Sequence, residues 1–234
     1  MTQIIVGLDF LGEKNIMNLV DKLNGAINFY KIGSIVFSAY GYKIIEKLKD
    51  KGKKVFLDLK FFDIPNTVRE TVKIILKMDI DFFTIHLLGG EEMVKSAIEE
   101  KNKISPKTKI IGVTVLTSFT QENLFQLSIE KDIKTFVLNL SENGKKWGID
   151  GIVCSGEELC FLREKFPSPF IIICPGIRIK KNTDDQKRII TPYYAAKNKA
   201  DFIVVGRPIY KSKDPIKTVE EILKEIKNGQ SGMD

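Results

Sequence analysis

The sequence predicts an α/β fold, a single-domain (β/α)8 barrel that spans residues 1–234. Short apolar, β-rich segments alternate with amphipathic helical segments from one end of the chain to the other. The strand segments are continuous apolar runs, which is typical of parallel strands buried on both faces. No Pro/Ser-rich linker or shift in composition divides the chain. A doubly wound sheet would show the same alternation, but eight evenly spaced units in this length favour a closed barrel.

The predicted strands and helices follow one another in strict alternation. The strands cover residues 3–9, 28–33, 54–60, 82–86, 109–116, 151–154, 170–174 and 202–205. The helical segments lie near residues 13–24, 36–51, 65–78, 90–101, 121–146, 155–166, 187–199 and 214–227. Ser155 is expected to cap the sixth helix and Asp214-Pro215 to open the last one. Gly25 and Gly52 follow helical segments, as glycines at helix C-termini do.

Charge and cysteine content argue against several classes of protein. The net charge is +7, but the lysines are spread at helical spacing among acidic residues, which indicates solvated helix faces and no nucleic-acid partner. Apolar runs such as residues 170–174 are far shorter than the ~20 residues that cross a bilayer, so no membrane partner is expected. Cys154, Cys160 and Cys174 form no CxxC pair, and the first residues read as a strand rather than a signal peptide. We therefore expect reduced thiols in a cytoplasmic protein, with Cys154 and Cys174 as small buried hydrophobes.

Polar residues gather where the predicted strands end. Asp9, Lys31, Asp58 and Lys60 end the first three strands, and Asp63 follows the third. Further along the chain, the residues in equivalent positions are Thr117, Arg178, Gly206 and Arg207. The C-terminal ends of barrel strands share one mouth, where barrel enzymes carry their catalytic groups. The sequence therefore predicts one site that collects these side chains.

Asp58 and Lys60 lie two residues apart in a strand and point to the same side. A salt bridge that closes the barrel rim is one interpretation of this pair. Lys31 on the adjacent strand favours a second one, because alternating Lys and Asp residues would keep a lysine charged beside a reacting centre. Asp63 lies past the strand, where strand periodicity does not determine its direction.

The segment Asp58-Leu-Lys60-Phe-Phe-Asp63-Ile-Pro-Asn-Thr67 resembles the signature of the orotidine 5'-phosphate decarboxylase family. Further segments resemble the family in the same order along nearly the whole chain: residues 7–10, 30–33, 115–118, 175–178, 185–186 and 204–208. One position departs from the pattern, since many relatives carry His where this chain has Phe62. This difference does not change the expected activity, but it puts in doubt any contribution to the reaction that depends on a histidine at this position. The single histidine, His86, is interpreted as a hydrogen-bonded packing residue at the mouth.

The resemblance implies a metal-free, cofactor-free decarboxylation of orotidine 5'-phosphate to uridine 5'-phosphate, a step of pyrimidine biosynthesis. Lys60 would stabilise the carbanion at C6 of the ring and then protonate it, while Asp58 faces the substrate carboxylate. Lys31 and Asp9 would bind the ribose. The resemblance also implies a homodimer in which Asp63 and Thr67 reach the ribose in the neighbouring subunit's site.

The other implied contacts involve the base and the phosphate. Thr117 and Ser118 would contact the pyrimidine edge. Gly206 and Arg207, followed by Pro208 in the first turn of a short helix, would bind the phosphate. Arg178 and Gln186 come from the preceding loop, and residues 176–190 are interpreted as a lid; an ordinary surface loop is the alternative.

Two rival functions share parts of this pattern. Metal-dependent sugar-phosphate decarboxylases or aldolases of the same superfamily resemble the Asp58–Asp63 segment, but carry an acidic residue where Lys31 stands. A cation at that position would repel Mg²⁺. A non-catalytic phosphate- or nucleic-acid-binding barrel is the second rival, and binding alone does not require four alternating charges.

Overall fold

The computed structural model describes residues 1–178 and 190–231, and its strands form a closed parallel barrel, as predicted. Each strand pairs with the next one in the chain, and the last strand pairs with the first. The strands are β1 Gln3–Gly7, β2 Phe29–Gly33, β3 Lys54–Phe61, β4 Phe82–His86, β5 Lys109–Val113, β6 Gly151–Val153, β7 Ile171–Cys174 and β8 Phe202–Val205. The fifth strand ends three residues earlier than predicted, so residues 114–116 belong to the mouth of the barrel.

Helices link the strands and cover the barrel from outside. They are α1 Glu13–Lys22, α2 Ser34–Tyr40, α3 Lys43–Asp50, α4 Pro65–Leu76, α5 Gly90–Ile104, α6 Gln121–Gln126, α7 Ile133–Trp147, α8 Gly156–Lys165, α9 Pro192–Lys197, α10 Arg207–Tyr210 and α11 Pro215–Ser231. Two single-helix predictions were wrong. Residues 36–51 form two helices because Gly41 adopts a φ of 59°, and residues 121–146 form two because a loop intervenes before Asp132 caps α7.

The predicted start and stop signals are present. Glu158 Oε2 accepts a hydrogen bond from the Ser155 N–H at 2.6 Å, at the N-terminus of α8. Asp214 Oδ1 accepts from the Lys217 N–H at 3.1 Å in the first turn of α11. Gly25 and Gly52 have φ values of 91° and 67°, the left-handed conformation that favours glycine after a helix.

Four phenylalanines close the lower part of the barrel. Phe29, Phe56, Phe82 and Phe202 pack edge to face, with ring centroids 4.9 Å apart for Phe29–Phe82 and 5.2 Å apart for Phe82–Phe202. Edge-to-face contact is a favourable geometry for aromatic rings. Because this cluster fills the interior, open space within the barrel lies above it, at the C-terminal ends of the strands.

Cys154 and Cys174 are buried free thiols, as predicted; Cys154 follows β6 directly, Cys174 ends β7, and their sulfur atoms lie 3.7 Å apart. The contact with Cys174 and burial raise the pKa of the Cys154 thiol, so it stays protonated. None of the helices within residues 1–178 and 190–231 combines the length and apolarity needed to cross a membrane.

Candidate active site

A cavity of about 510 Å³ opens at the C-terminal ends of the strands. Nine of the residues proposed from sequence line it: Asp9, Lys31, Asp58, Lys60, Thr117, Ser118, Arg178, Gly206 and Arg207. Asp63 and Thr67 lie outside it on the exposed surface. Gln186 and most of the expected lid, residues 179–189, lie outside the described part of the chain.

Lys31 in β2 joins the carboxylate of Asp9, two residues after the end of β1, to that of Asp58 in β3. Its Nζ lies 2.9 Å from Asp9 Oδ1 and 3.5 Å from Asp58 Oδ2. Burial alone would lower the pKa of Lys31, but the Asp58 and Asp9 carboxylates outweigh it, and the net pKa lies above the ordinary value. The buried amine is therefore a fixed positive charge at neutral pH.

Asp58 is the hub of the charged cluster. Its Oδ1 accepts from Lys60 Nζ at 2.8 Å and from the Thr84 hydroxyl at 3.1 Å, while its Oδ2 faces Lys31. Burial opposes ionisation of Asp58, but the charges of Lys31 and Lys60 and the two hydrogen bonds bring its pKa below the usual value. Asp9, Lys31, Asp58 and Lys60 thus form a continuous chain of alternating charges.

Lys60 projects into the cavity from an unusual backbone conformation. Its φ is 51°, in the left-handed region that lysine rarely adopts. The register between β3 and β4 shifts between Leu57 and Phe61, which creates an irregularity around Lys60. The Lys60 side chain is 39% exposed against 10% for Lys31, so its ammonium remains accessible to a ligand.

The opposite side of the mouth carries hydrogen-bond donors and a second set of positive charges. Arg207 opens the four-residue helix α10 directly after Gly206, at the end of β8. Arg178 follows β7, where its Nη1 donates to the Ile177 carbonyl at 2.9 Å. Thr117 and Ser118 face the cavity from the loop after β5. This arrangement suits a ligand that is anionic at one end and polar in its middle.

The sequence analysis missed the apolar wall of the cavity and two further residues. Val113, Val153, Ile173 and Val204 line the cavity beside Phe56. They are the inward-facing ends of strands, so the alternation of directions along each strand could have identified them.

Tyr210 and Thr84 were also missed. Tyr210 lines the cavity from α10 and packs on Phe10 with ring centroids 4.8 Å apart. Thr84 is buried beneath the charged cluster. A polar residue in the middle of the apolar strand β4, on the same side as inward-facing Phe82, was a usable signal for Thr84.

The segment after Lys60 faces away from the cavity. Asp63 Oδ1 accepts from the Ile64 N–H at 2.6 Å. Phe62 is 60% exposed, and its ring lies 5.5 Å from that of His86. His86 Nδ1 accepts from the Leu88 N–H at 3.4 Å, and burial together with the nearby Lys60 charge lowers the pKa of the imidazole. His86 is therefore a neutral ring that packs at the rim.

The charged cluster differs from a divalent-cation site. Such a site needs several converging oxygen ligands with room for the ion between them. Here the Lys31 ammonium lies between the carboxylates of Asp9 and Asp58. Across residues 1–178 and 190–231, no group of three or more His, Cys, Asp or Glu side chains has a metal-binding arrangement.

Known proteins resemble this chain over almost its full length. The orotidine 5'-phosphate decarboxylase / HUMPS family matches residues 2–222. Orotidine 5'-phosphate decarboxylase from Lawsonia intracellularis is 42% identical over 231 residues, which are 97% of this chain and 100% of the relative. The enzyme of the same name from Dictyoglomus turgidum is 40% identical over 232 residues, covering 96% of this chain and 95% of the relative. The crystal structure of orotidine 5'-phosphate decarboxylase from Lactobacillus acidophilus superposes with a TM-score of 0.85 at 36% identity, covering 97% of this chain and 99% of that one.

The barrel, its charged mouth and these likenesses together show that the chain belongs to the orotidine 5'-phosphate decarboxylase / HUMPS family.

Proposed function

We propose that this protein decarboxylates orotidine 5'-phosphate to uridine 5'-phosphate and CO2 in pyrimidine biosynthesis, without a metal or an organic cofactor. The observation that carries this function is the contact of 2.8 Å between Lys60 Nζ and Asp58 Oδ1, continued by Lys31 on the other side of Asp58. A carboxylate held between two ammonium groups places fixed charge of both signs at the end of an apolar-walled cavity. Charge preorganised in this way is the chief means by which enzymes stabilise a developing ion.

In the proposed reaction, the bond between C6 of the ring and the carboxylate breaks, and its electron pair remains on C6. The π system cannot delocalise this pair because the orbital lies in the plane of the ring. The Lys60 ammonium stabilises the negative charge and then transfers a proton to C6. Lys60, 39% exposed at its side chain, can regain that proton from water. The step thus needs no oxidant, reductant or electron sink.

Asp58 orients Lys60 and faces the departing carboxylate in this mechanism. Its lowered pKa supports this role, because a charged Asp58 is needed to hold both ammonium groups. Val113, Val153 and Ile173 form an apolar wall of the same cavity. Low polarity nearby strengthens every charge interaction within the site.

Binding of the nucleotide is assigned to the rest of the mouth. Asp9 would accept hydrogen bonds from the ribose hydroxyls, and Lys31 would donate to them. Thr117 and Ser118 would contact the pyrimidine edge. Gly206 and Arg207 would bind the phosphate together with Arg178 and Gln186. Arginine suits this task since its planar fork can donate two parallel hydrogen bonds to phosphate oxygens.

We further propose a homodimer in which Asp63 and Thr67 complete the partner's site. Both side chains are exposed and face away from the cavity of their own chain. Phe62 and Ile64 flank Asp63 in the chain and are exposed, as is Leu88 beyond His86, with Ile64 66% exposed. Apolar side chains exposed together on a rim are typical of a protein interface.

Lys31 favours decarboxylation without a metal over the metal-dependent sugar-phosphate chemistry of the same superfamily. A divalent ion beside Asp58 would meet the Lys31 ammonium, which already forms ion pairs with Asp58 and Asp9. Repulsion between like charges in a buried site costs several kcal/mol, on the order of 4 kcal/mol at 4 Å with an effective dielectric of 20. The free thiols Cys154 and Cys174 support a cytoplasmic location for this activity.

The decisive experiment follows the absorbance of orotidine 5'-phosphate in the presence of EDTA. We expect the wild type to turn over, and Lys60→Ala to lose at least about three orders of magnitude in kcat. Lys107→Ala is the matched control, because this exposed lysine pairs with Asp79 far from the mouth, at 2.7 Å. Loss of wild-type activity in EDTA, or equal activity of Lys60→Ala and wild type, would refute the proposed chemistry.

A further inference from the structure

We propose that Thr84 is a positioning residue, whose hydroxyl holds the main chain of Lys60 and the carboxylate of Asp58 in their reactive arrangement. This role presupposes the decarboxylation proposed above, in which Lys60 and Asp58 act directly. Thr84 itself does not line the cavity and is fully buried in β4. It would therefore act on the reaction only through the two residues that it contacts.

Two hydrogen bonds connect Thr84 to the charged cluster. The Lys60 N–H donates to Thr84 Oγ1 at 2.8 Å, and Thr84 Oγ1 lies 3.1 Å from Asp58 Oδ1. An N–H group can only donate, so the hydroxyl must be the acceptor in the first contact. Its single proton is then free for the carboxylate, which can only accept. The orientation of the hydroxyl is thus determined by its two partners.

The Lys60 N–H needs this acceptor because the regular strand pairing fails around it. Pairing between β3 and β4 is regular up to Leu57 and resumes at Phe61, which leaves Lys60 in the irregular segment. A backbone N–H without a partner away from water is costly, and the φ of 51° at Lys60 adds strain. The Thr84 hydroxyl replaces the missing carbonyl and restrains the backbone in this conformation.

Both ends of Lys60 are consequently attached to one unit. Its main chain is bound by Thr84, and its ammonium is bound by Asp58 Oδ1, the same oxygen that the Thr84 hydroxyl contacts. A lysine side chain has many rotamers, and fixing it at both ends reduces the ones available. This closed arrangement would direct Nζ into the cavity, where a small displacement can cost a large factor in rate.

Replacement by valine and by serine separates this role from ordinary packing. Thr84→Val keeps the shape but loses the hydroxyl, and we expect kcat to fall by about 10- to 100-fold with KM changed by less than about threefold. Thr84→Ser keeps the hydroxyl, and kcat should stay within about threefold of the wild type. Thr108→Val is the matched control, because Thr108 is equally buried and its hydroxyl donates to the Ile80 carbonyl at 3.0 Å, but it precedes β5, at the end of the strand opposite the mouth.

The pH profile gives a readout that a loss of packing would not change. Asp58 faces Lys31 on β2, Lys60 on β3 and Thr84 on β4, with Asp9 of the β1 end on the far side of Lys31. The Thr84 hydroxyl is one of the groups that lower the pKa of Asp58. The acid limb of kcat should therefore move to higher pH in Thr84→Val, and stay in place in Thr84→Ser and Thr108→Val.

Amide hydrogen exchange at Lys60 tests the contact without turnover. The Lys60 N–H should exchange faster in Thr84→Val than in the wild type, and remain protected in Thr84→Ser. The inference is overturned if Thr84→Val keeps wild-type kcat and Lys60 protection, if Thr84→Ser loses as much kcat as Thr84→Val, or if Thr108→Val loses as much. An inactive wild type would instead refute the proposed function, while the exchange experiment would still decide whether Thr84 holds Lys60.

Discussion

A methyl group added at Gly33 would lie 2.8 Å from Oδ1 of Asp9, closer than side-chain carbons approach oxygen. The same methyl group would lie 3.0 Å from Lys31 Nζ. The backbone of Gly33 is extended and would itself accept alanine. The absence of a side chain at residue 33 therefore serves the contact between Asp9 and Lys31, and not the backbone conformation.

Gly33→Ala should accordingly impair the site more than the fold. The Asp9 side chain is 37% exposed and can swing away, which would relieve the clash but break its pair with Lys31. We expect kcat/KM to fall by about 10- to 100-fold, with a loss of unfolding free energy of no more than about 1 kcal/mol, because Asp9 is more exposed than Asp58, which stays paired with Lys31. Steady-state kinetics and urea unfolding of the same preparation measure the two effects.

Gly25→Ala provides the opposite control. Nothing lies within 4 Å of a Cβ at Gly25, but its φ of 91° disfavours alanine. This variant should lose about 1 kcal/mol of stability and keep wild-type kinetics. If Gly33→Ala matched Gly25→Ala in both measurements, the assigned role of Gly33 would be wrong.

The charge on Asp58 should contribute to stability in a defined pH range. Its pKa is lowered on folding, so its stabilisation is complete above the ordinary value of 3.8 and is lost as the pH falls through the lower folded value. The pKa of Lys31 is raised, so its contribution persists up to the ordinary value of 10.5 and is lost only as the pH rises through the folded value. Neutral pH lies within both ranges.

Asp58→Asn should therefore destabilise the protein in a pH-dependent way. The variant leaves a buried lysine with one carboxylate fewer, at a cost of about 3 kcal/mol near neutral pH. The difference from the wild type should shrink below pH 3.8, where the carboxyl of the unfolded wild type begins to take up a proton, and vanish below the lower pKa of the folded state. Urea unfolding of both proteins from about pH 7 to about pH 3 measures this difference, and a constant difference would contradict the assigned charge.

The barrel was predictable because burial on both faces makes each strand an uninterrupted apolar run. The breaks within helical segments were not predictable, because amphipathic periodicity continues on both sides of a short loop. Gly41 alone was too weak a signal to divide residues 34–50. Likewise, nothing in the pattern of residues 127–132 distinguishes a loop from one more exposed turn of helix.

Within the site, strand periodicity predicted the side chains that belong to strands and failed beyond them. Lys31, Asp58 and Lys60 share the mouth because successive residues of a strand alternate in direction. Asp63 follows the strand, and its outward direction depends on the chain reversal before α4. The left-handed backbone conformation of Lys60 could not be predicted from the sequence either. Lysine has no preference for that conformation, and its cause is a shift in the pairing of β3 with β4.

Arg207→Gln should weaken binding of the phosphate without disturbing the chemistry at the ring. Glutamine keeps a polar side chain but loses the charge and the paired donors. We expect kcat/KM for orotidine 5'-phosphate to fall by about 100-fold, since charge-assisted hydrogen bonds are worth about 1.5 to 3 kcal/mol each. Orotidine lacks the phosphate, so its kcat/KM with Arg207→Gln should equal its kcat/KM with the wild type.

Lys213→Gln serves as the control for this change in net charge, because Lys213 is exposed after α10 and does not line the cavity. It should keep wild-type kcat/KM for the nucleotide. An equal loss with orotidine and with its phosphate in Arg207→Gln would mean that Arg207 does not bind the phosphate.

Mixing two inactive variants tests whether neighbouring subunits share their sites. Asp63→Ala should be inactive as a homodimer because each site lacks the partner's carboxylate, although the side chain stays outside its own cavity. Lys60→Ala should be inactive because each site lacks its own ammonium. A mixed dimer contains one site with both groups intact, so unfolding and refolding the variants together at equal amounts should restore about a quarter of the wild-type activity.

Mixing Asp58→Asn with Lys60→Ala is the matched control, since both changes lie in the same chain's cavity and no intact site can form. Activity restored equally in both mixtures, or in neither, would exclude a shared site.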